Sequence, residues 1–231
     1  MNNKSSEIAL KLEAISKVYP GPPKVQALTD VSISVKAGEF LGVIGSSGSG
    51  KTTLLHIMGT LSVPSSGSMF IDGSSVVGMT DEQLSGIRTH KIGFIFQEFF
   101  LLSGFSALEN VANGLLYSGT SRKEREERAF ETLSKVGLEH RYRHLPNEMS
   151  GGEQQRVAVA RALVSNPSFI LADEPTGNLD SQNSSSLMAL FSNLNEEGTT
   201  VILITHDLEV SEFAEREITI RDGQIYSDSG R

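Results

Sequence analysis

The stretch that decides the fold is Gly45-Ser46-Ser47-Gly48-Ser49-Gly50-Lys51-Thr52-Thr53. It fits G-x-x-x-x-G-K-[ST], a loop whose backbone wraps phosphate. Both flanks are the ones that chemistry needs. Before it, Phe40-Leu41-Gly42-Val43-Ile44 is a short apolar run that reads as a buried parallel strand. After it, Thr53-Leu54-Leu55-His56-Ile57-Met58 reads as a helix with an apolar face. Glycines let the chain turn its N–H groups toward an anion, and a helix N-terminus adds partial positive charge. Lys51 is then placed to reach the β- and γ-phosphates of a nucleotide, and the Thr52 hydroxyl to ligate Mg²⁺. A flexible Gly/Ser linker would have neither flank.

Composition sets the bounds. A chain of 231 residues fits one large domain, or a core with an inserted subdomain. Its formal net charge is −8, which argues against general nucleic-acid binding, since that favours basic surfaces. Without cysteine there is no disulfide, thiolate metal site or cysteine nucleophile. The opening Met1-Asn2-Asn3-Lys4-Ser5-Ser6 lacks the apolar core of a signal peptide. No apolar run approaches the roughly 20 residues that cross a bilayer. The expectation is a soluble, cytoplasmic protein whose membrane role, if any, comes through a partner.

Working outward, Ile8, Leu10 and Leu12 alternate with polar residues, as do Val31, Ile33 and Val35; both segments read as half-buried antiparallel strands. Lys17 to Pro23 between them reads as a rigid turn that leaves Tyr19 just outside a strand. Met69-Phe70-Ile71 before Asp72-Gly73, and Ile92 to Phe96 before Gln97, are further strands. From Glu98 to Gly137 the pattern turns helical, with Ser106 and Glu109 spaced as a capping box and Arg122 to Arg128 as a solvated face. Ser150 can cap a helix whose first turn holds Gly151 and Gly152. Glycines cost helix stability there and suggest close backbone approach, in the functional reading to a second phosphate. Phe169 to Glu174 is a buried strand ending in two carboxylates, placed where open α/β sheets bind ligands. Asp173 suits the metal side and Glu174 the polarisation of attacking water. Thr200 to Ile204 is the next strand, ending in Thr205-His206-Asp207. An Asp222-Gly223 hairpin closes the chain.

Taken together and in this order, these motifs resemble the ATP-binding subunit of ATP-binding-cassette (ABC) transporters, over nearly the whole chain. The resemblance implies an α/β fold: a P-loop NTPase core with a mostly parallel sheet, an N-terminal antiparallel β subdomain and an inserted α-helical subdomain. Residues 1–97 and 167–231 would form the core with its β subdomain, and 98–166 the helical subdomain. It implies ATP and Mg²⁺, with Tyr19 on adenine and Gly45, Ser46, Ser47, Gly48, Ser49, Gly50, Lys51, Thr52 and Thr53 around the phosphates. Thr52, Gln97 and Asp173 would serve the metal, Glu174 would be the base, and His206 would sense the γ-phosphate. Ser150, Gly151, Gly152 and Glu153 would bind the nucleotide of a second subunit, with Asp180 in the adjoining loop. The usual L-S-G-G-Q signature starts here with Met149 and has Glu153 in fifth place, where a carboxylate could repel phosphate.

Ala172-Asp173-Glu174-Pro175-Thr176-Gly177-Asn178-Leu179-Asp180, Phe99-Phe100-Leu101-Leu102 and Ala107-Leu108-Glu109-Asn110-Val111 look like the lipoprotein-release and macrolide-export branch, which also includes a cell-division ATPase. The implied partners are a second copy of the chain and an integral membrane permease, with no nucleic acid, and the implied location is the inner face of the cell membrane. Three alternatives weigh less. A nucleic-acid or ribosome ATPase of the same superfamily would carry coiled coils or tandem cassettes, cell-division signalling would still need a membrane partner, and a switch GTPase leaves Ser150-Gly151-Gly152 unexplained.

Overall fold

The computed structural model describes residues 8–230; Met1 to Ser6, read above for a leader, lie outside them. Two sheets share one layer of apolar side chains. The smaller is antiparallel, in the order β2 (Val25–Lys36), β1 (Ile8–Tyr19), β4 (Ser66–Ile71) and β5 (Ser74–Ser75). The larger runs β10 (Gln224–Gly230), β9 (Arg216–Arg221), β3 (Phe40–Ile44), β8 (Val201–Thr205), β7 (Phe169–Asp173), β6 (Ile92–Phe96). All its pairings are parallel except β9 with β10, the Asp222-Gly223 hairpin.

Both faces of the larger sheet are covered, which is why its central strands read as unbroken apolar runs. On one face Leu41, Val43, Leu171 and Ile202 pack against the antiparallel sheet and helix α1 (Lys51–Met58). On the other, Phe40, Ile95, Ile170, Ala172 and Leu203 meet α3 (Ala107–Ala112), α4 (Arg122–Lys135), α5 (Gly151–Leu163) and α6 (Ser181–Glu196) in a second cluster. Gly42 sits in β3 because the short α7 (Leu208–Ser211) and the turn after it leave no room: a Cβ there would lie 3.1 Å from that of Ala214.

Three local readings change. Tyr19 is not outside a strand; it ends β1, paired across to Val25, because the strand runs on past a bulge at Ala14, whose φ is +51°. Residues 98–106 are a loop rather than helix, since Asn110 holds them otherwise. Its buried side chain accepts from Leu102 N and donates to the carbonyls of Leu102, Phe105 and Ser106. Helix α2 (Asp81–Lys91) went unread, although Thr80 and Gln83 form a capping box at its start. Helix α5 shares its apolar cluster with the sheet and α6.

Candidate nucleotide site

The carboxyl ends of four adjacent parallel strands open onto one cleft of about 1150 Å³. β3 delivers Gly45 to Gly48 and Gly50 to Thr53, while Ser49 is buried and does not line the cleft; β8 delivers His206, β7 delivers Asp173 and Glu174, and β6 delivers Gln97. The far wall is Val25, Gln26 and Ala27 of β2 with the 222–223 hairpin. Tyr19 is not among the lining residues. Its ring is exposed, with Lys17 Nζ 5.1 Å from its centroid, and only its cross-strand partner Val25 reaches the cleft.

The loop is held in shape by glycines for which no other residue fits. A Cβ on Gly45 would stand 2.3 Å from Ile220 O, and one on Gly50 (φ +108°) 2.7 Å from Ala27 O. Gly50 also caps α1, with no side chain to satisfy the helix's first N–H groups and no acid in the first turn. Those donors are left for an anion. Lys51 Nζ donates to the carbonyls of Gly45 (2.6 Å) and Ser46 (2.9 Å), so the ammonium bridges the loop across its mouth. Ser49 Oγ is buried and has no hydrogen-bond partner among the described residues. Anionic oxygens fit such a cradle: the free N–H groups of the helix end and an ammonium face the cleft, and no carboxylate competes from within the loop.

Across the cleft, burial raises the Asp173 pKa above the ordinary carboxylate value. The Glu174 charge adds to the rise, while His56 and Lys51 oppose it. Glu174 sits at φ +46°, a conformation that non-glycine residues rarely adopt, anchored by its N–H to Ile204 O. That kink turns the carboxylate toward the next strand. Its Oε1 accepts from His206 Nδ1 at 2.6 Å and its Oε2 from the Thr205 hydroxyl at 3.2 Å. Gln97 is exposed and bonded to Asn178 in both directions, Nε2 to Oδ1 at 3.2 Å and Asn178 Nδ2 to Gln97 O at 3.0 Å. Among the described residues no cluster of three His, Asp or Glu side chains could hold a metal. A Mg²⁺ ion would therefore take Asp173 and the Thr52 hydroxyl together with phosphate oxygens, the mixed set this ion prefers.

Ser150, Gly151, Gly152 and Glu153 lie elsewhere and contribute nothing to the cleft lining. Ser150 caps α5 through a full capping box: its Oγ accepts from Glu153 N and its N–H donates to Glu153 Oε2. Glu153 Oε1 accepts from Arg141 Nε at 3.0 Å. The carboxylate suspected of repelling phosphate is thus tied back into its own helix. Gly152 has a packing reason of its own, because a Cβ would lie 2.2 Å from Asn183 Oδ1; Gly151 would meet only ordinary contacts. Asp180 caps α6 and accepts from the N–H and the side-chain amide of that same Asn183, bonds that lower its pKa.

The model of the ABC transporter family matches residues 28–177, from within β2 to just past the paired carboxylates. The chain belongs to the ABC transporter family. It is an ATPase subunit of that class, and such subunits work as dimers with membrane permeases. It is 48% identical to an uncharacterized ABC transporter ATP-binding protein, YvrO of Bacillus subtilis, covering 95% of this chain and 96% of that one. It is 45% identical to the lipoprotein-releasing system ATP-binding protein LolD of Bordetella avium, covering 97% and 99%. It is 47% identical to the macrolide export ATP-binding/permease protein MacB of Chlorobium luteolum, covering 96% of this chain but spanning only 33% of that protein. Among solved structures, the ABC cassette MJ0796, a dimer in a post-hydrolysis state with ADP and Pi, superposes with a TM-score of 0.86 at 43% identity, covering 96% and 98%.

Two side chains of this ABC ATPase that sequence reasoning passed over tie its parts together. Gln155, fully buried on α5, donates through Nε2 to Phe96 O at the end of β6 and to Pro175 O just beyond Glu174. Arg161, whose pKa burial lowers, donates to the carbonyls of Phe99 and Phe100. A glutamine or arginine on the apolar face of a helix was the available signal, since such groups are seldom buried without partners.

Proposed function

We propose that the chain is the ATP-hydrolysing motor of a membrane exporter or extractor, two copies enclosing two ATP molecules between them. The observation that carries this is the separation just described. One cleft gathers the phosphate loop, the carboxylates and His206, while the helix N-terminus at Ser150 stands outside it. One nucleotide meets both only if a second copy supplies the latter.

Within each site, Gly45 to Thr53 hold the phosphates, Lys51 trading its two loop carbonyls for phosphate oxygens. Thr52, Asp173 and Gln97 serve Mg²⁺, whose chemistry is to neutralise charge on the β- and γ-phosphates. Glu174 takes the proton of the attacking water. His206, its Nδ1–H committed to Glu174, keeps Nε2 as the atom available to the γ-phosphate. Tyr19, at the strand end beside Val25, stacks on adenine. Ser150, Gly151, Gly152 and the Asp180 loop complete the partner's site, with Glu153 setting the shape of that helix end.

Gln97, joined to Asn178 on one side and followed by the loop that Arg161 grips, passes the nucleotide state to residues 98–166, which act as a helical subdomain. That loop presents Phe100, Leu102 and Phe105 to solvent, whereas Leu101 packs inward. The three exposed side chains suit contact with a permease's cytoplasmic segment. The names of LolD, of a lipoprotein-releasing system, and MacB, of macrolide export, support a lipoprotein or drug-like substrate; a peptide is the third candidate, and the chain works at the inner face of the membrane. Glu174→Gln keeps ATP and Mg²⁺ binding but removes the base. It should sediment as a dimer with ATP and Mg²⁺, and as a monomer with ADP or without nucleotide. A variant that stays monomeric in saturating ATP overturns the two-copy arrangement.

A further inference from the structure

We propose that Arg141 is a positioning residue for the partner's nucleotide: it cancels the Glu153 charge so that the N-terminus of α5 stays attractive to phosphate. This rests on the two-copy arrangement above.

A helix N-terminus carries roughly half a positive elementary charge. Glu153, in the first turn of α5, brings a full negative one, and its side chain is only 16% exposed. Alone, the pair would leave that end net negative toward a phosphate. The Ser150 N–H, the Ser150 side chain and the Arg141 guanidinium favour the ionised carboxylate against its burial, and its pKa is accordingly lowered. Protonation therefore offers no way to remove the charge near neutral pH.

Arg141 does so instead. It lies in the 3₁₀ turn Glu139–Arg141, outside the helix and the cleft, and reaches Glu153 Oε1 through Nε at 3.0 Å. Its other arm is oriented from behind, Nη1 donating to His144 Nε2 at 3.1 Å. The pair sums to zero, which leaves the helix charge for the ligand and the N–H groups of Gly151 and Gly152 unspent by the capping box. A purely structural cap would need Glu153 alone, because the Ser150 N–H and Oγ already complete it.

The test separates charge from architecture in the Glu174→Gln parent, with ATP-dependent dimerisation followed by sedimentation. Arg141→Ala should raise the protein concentration needed for half-dimerisation roughly three- to tenfold, as expected for losing one charge at a partly exposed site. ATP binding to the monomer should stay unchanged. Arg141→Lys should recover most of the loss. Adding Glu153→Gln to Arg141→Ala, which keeps the cap and removes the charge left unpaired, should restore half-dimerisation to near the parent's concentration. A double variant that dimerises as poorly as Arg141→Ala alone, or no cost of Arg141→Ala in the parent, overturns the inference and leaves the two-copy reading intact. A parent that never dimerises removes that reading and this inference with it.

Discussion

Two helix N-termini in this molecule, both proposed above to meet phosphate, are finished in opposite ways. α1 begins at Gly50, with no side-chain cap and no acid in its first turn, beside a buried Ser49 hydroxyl without a partner among the described residues. α5 begins at Ser150 with both halves of a capping box made and an acid held in place by an arginine. The first leaves its donors unsatisfied at a cost to the ligand-free chain, so binding nucleotide stabilises it most. The second has its capping box complete and leaves only the Gly151 and Gly152 N–H groups outside it, so on the proposed reading it is a preformed surface. That reading expects such a difference between the end that holds a nucleotide and the end that is brought to one.

The comparison can be broken first at α1. Lys51→Ala should cut steady-state ATPase activity by on the order of a hundredfold or more, by loss of a positioned cation at the phosphates. Activity near wild type would remove the loop from the chemistry.

The two glycines of α5 sharpen the contrast at the other end. Gly152→Ala forces a Cβ into the Asn183 side chain and should cost roughly 1–3 kcal/mol in denaturant unfolding. Gly151→Ala meets only contacts of 3.7 and 3.8 Å and should be neutral or stabilising by up to about 1 kcal/mol. It should nevertheless weaken ATP-dependent dimerisation if Gly151 faces the partner's phosphate. Equal unfolding costs for the two would show that packing against α6 does not distinguish them.

The smallest effect concerns Asp173. Its raised pKa means that the folded chain binds a proton there more readily than the unfolded chain does. Its contribution to stability therefore falls as pH climbs from the ordinary carboxylate value through the raised one. Asp173→Asn should raise the melting temperature of the nucleotide-free chain at neutral pH, with the gain shrinking in acid, while Mg²⁺-dependent ATP binding weakens. A gain that is the same at both pH values would mean that burial of charge is not its cause.

Much of this was legible without coordinates, for a reason that differs by element. Phosphate loops, hairpin turns and caps are built from residues adjacent in the chain. Gly45 to Thr53, Asp222-Gly223 and the Ser106–Glu109 box thus announced their structures directly. The loop after Gln97 read as helix because its conformation depends on the Asn110 side chain, which borrows four backbone bonds from it. Tyr19 read as a turn residue because a strand that bulges at Ala14 breaks the period-two pattern.

By itself, then, the order of residues determined the identity of the buried strands, the position of the phosphate loop at the end of one of them, and the family. Each of these depends on spacings of a few residues, where backbone geometry and side-chain chemistry act directly. Only the tertiary structure decided that Glu174 bonds to His206, that Gly152 is required by Asn183, and that Arg141 holds Glu153. These pairs lie on different elements, and contact between them depends on how parallel strands align and how helices seat upon the sheet. Such placement is set by the packing of the whole core, which no short stretch of sequence encodes.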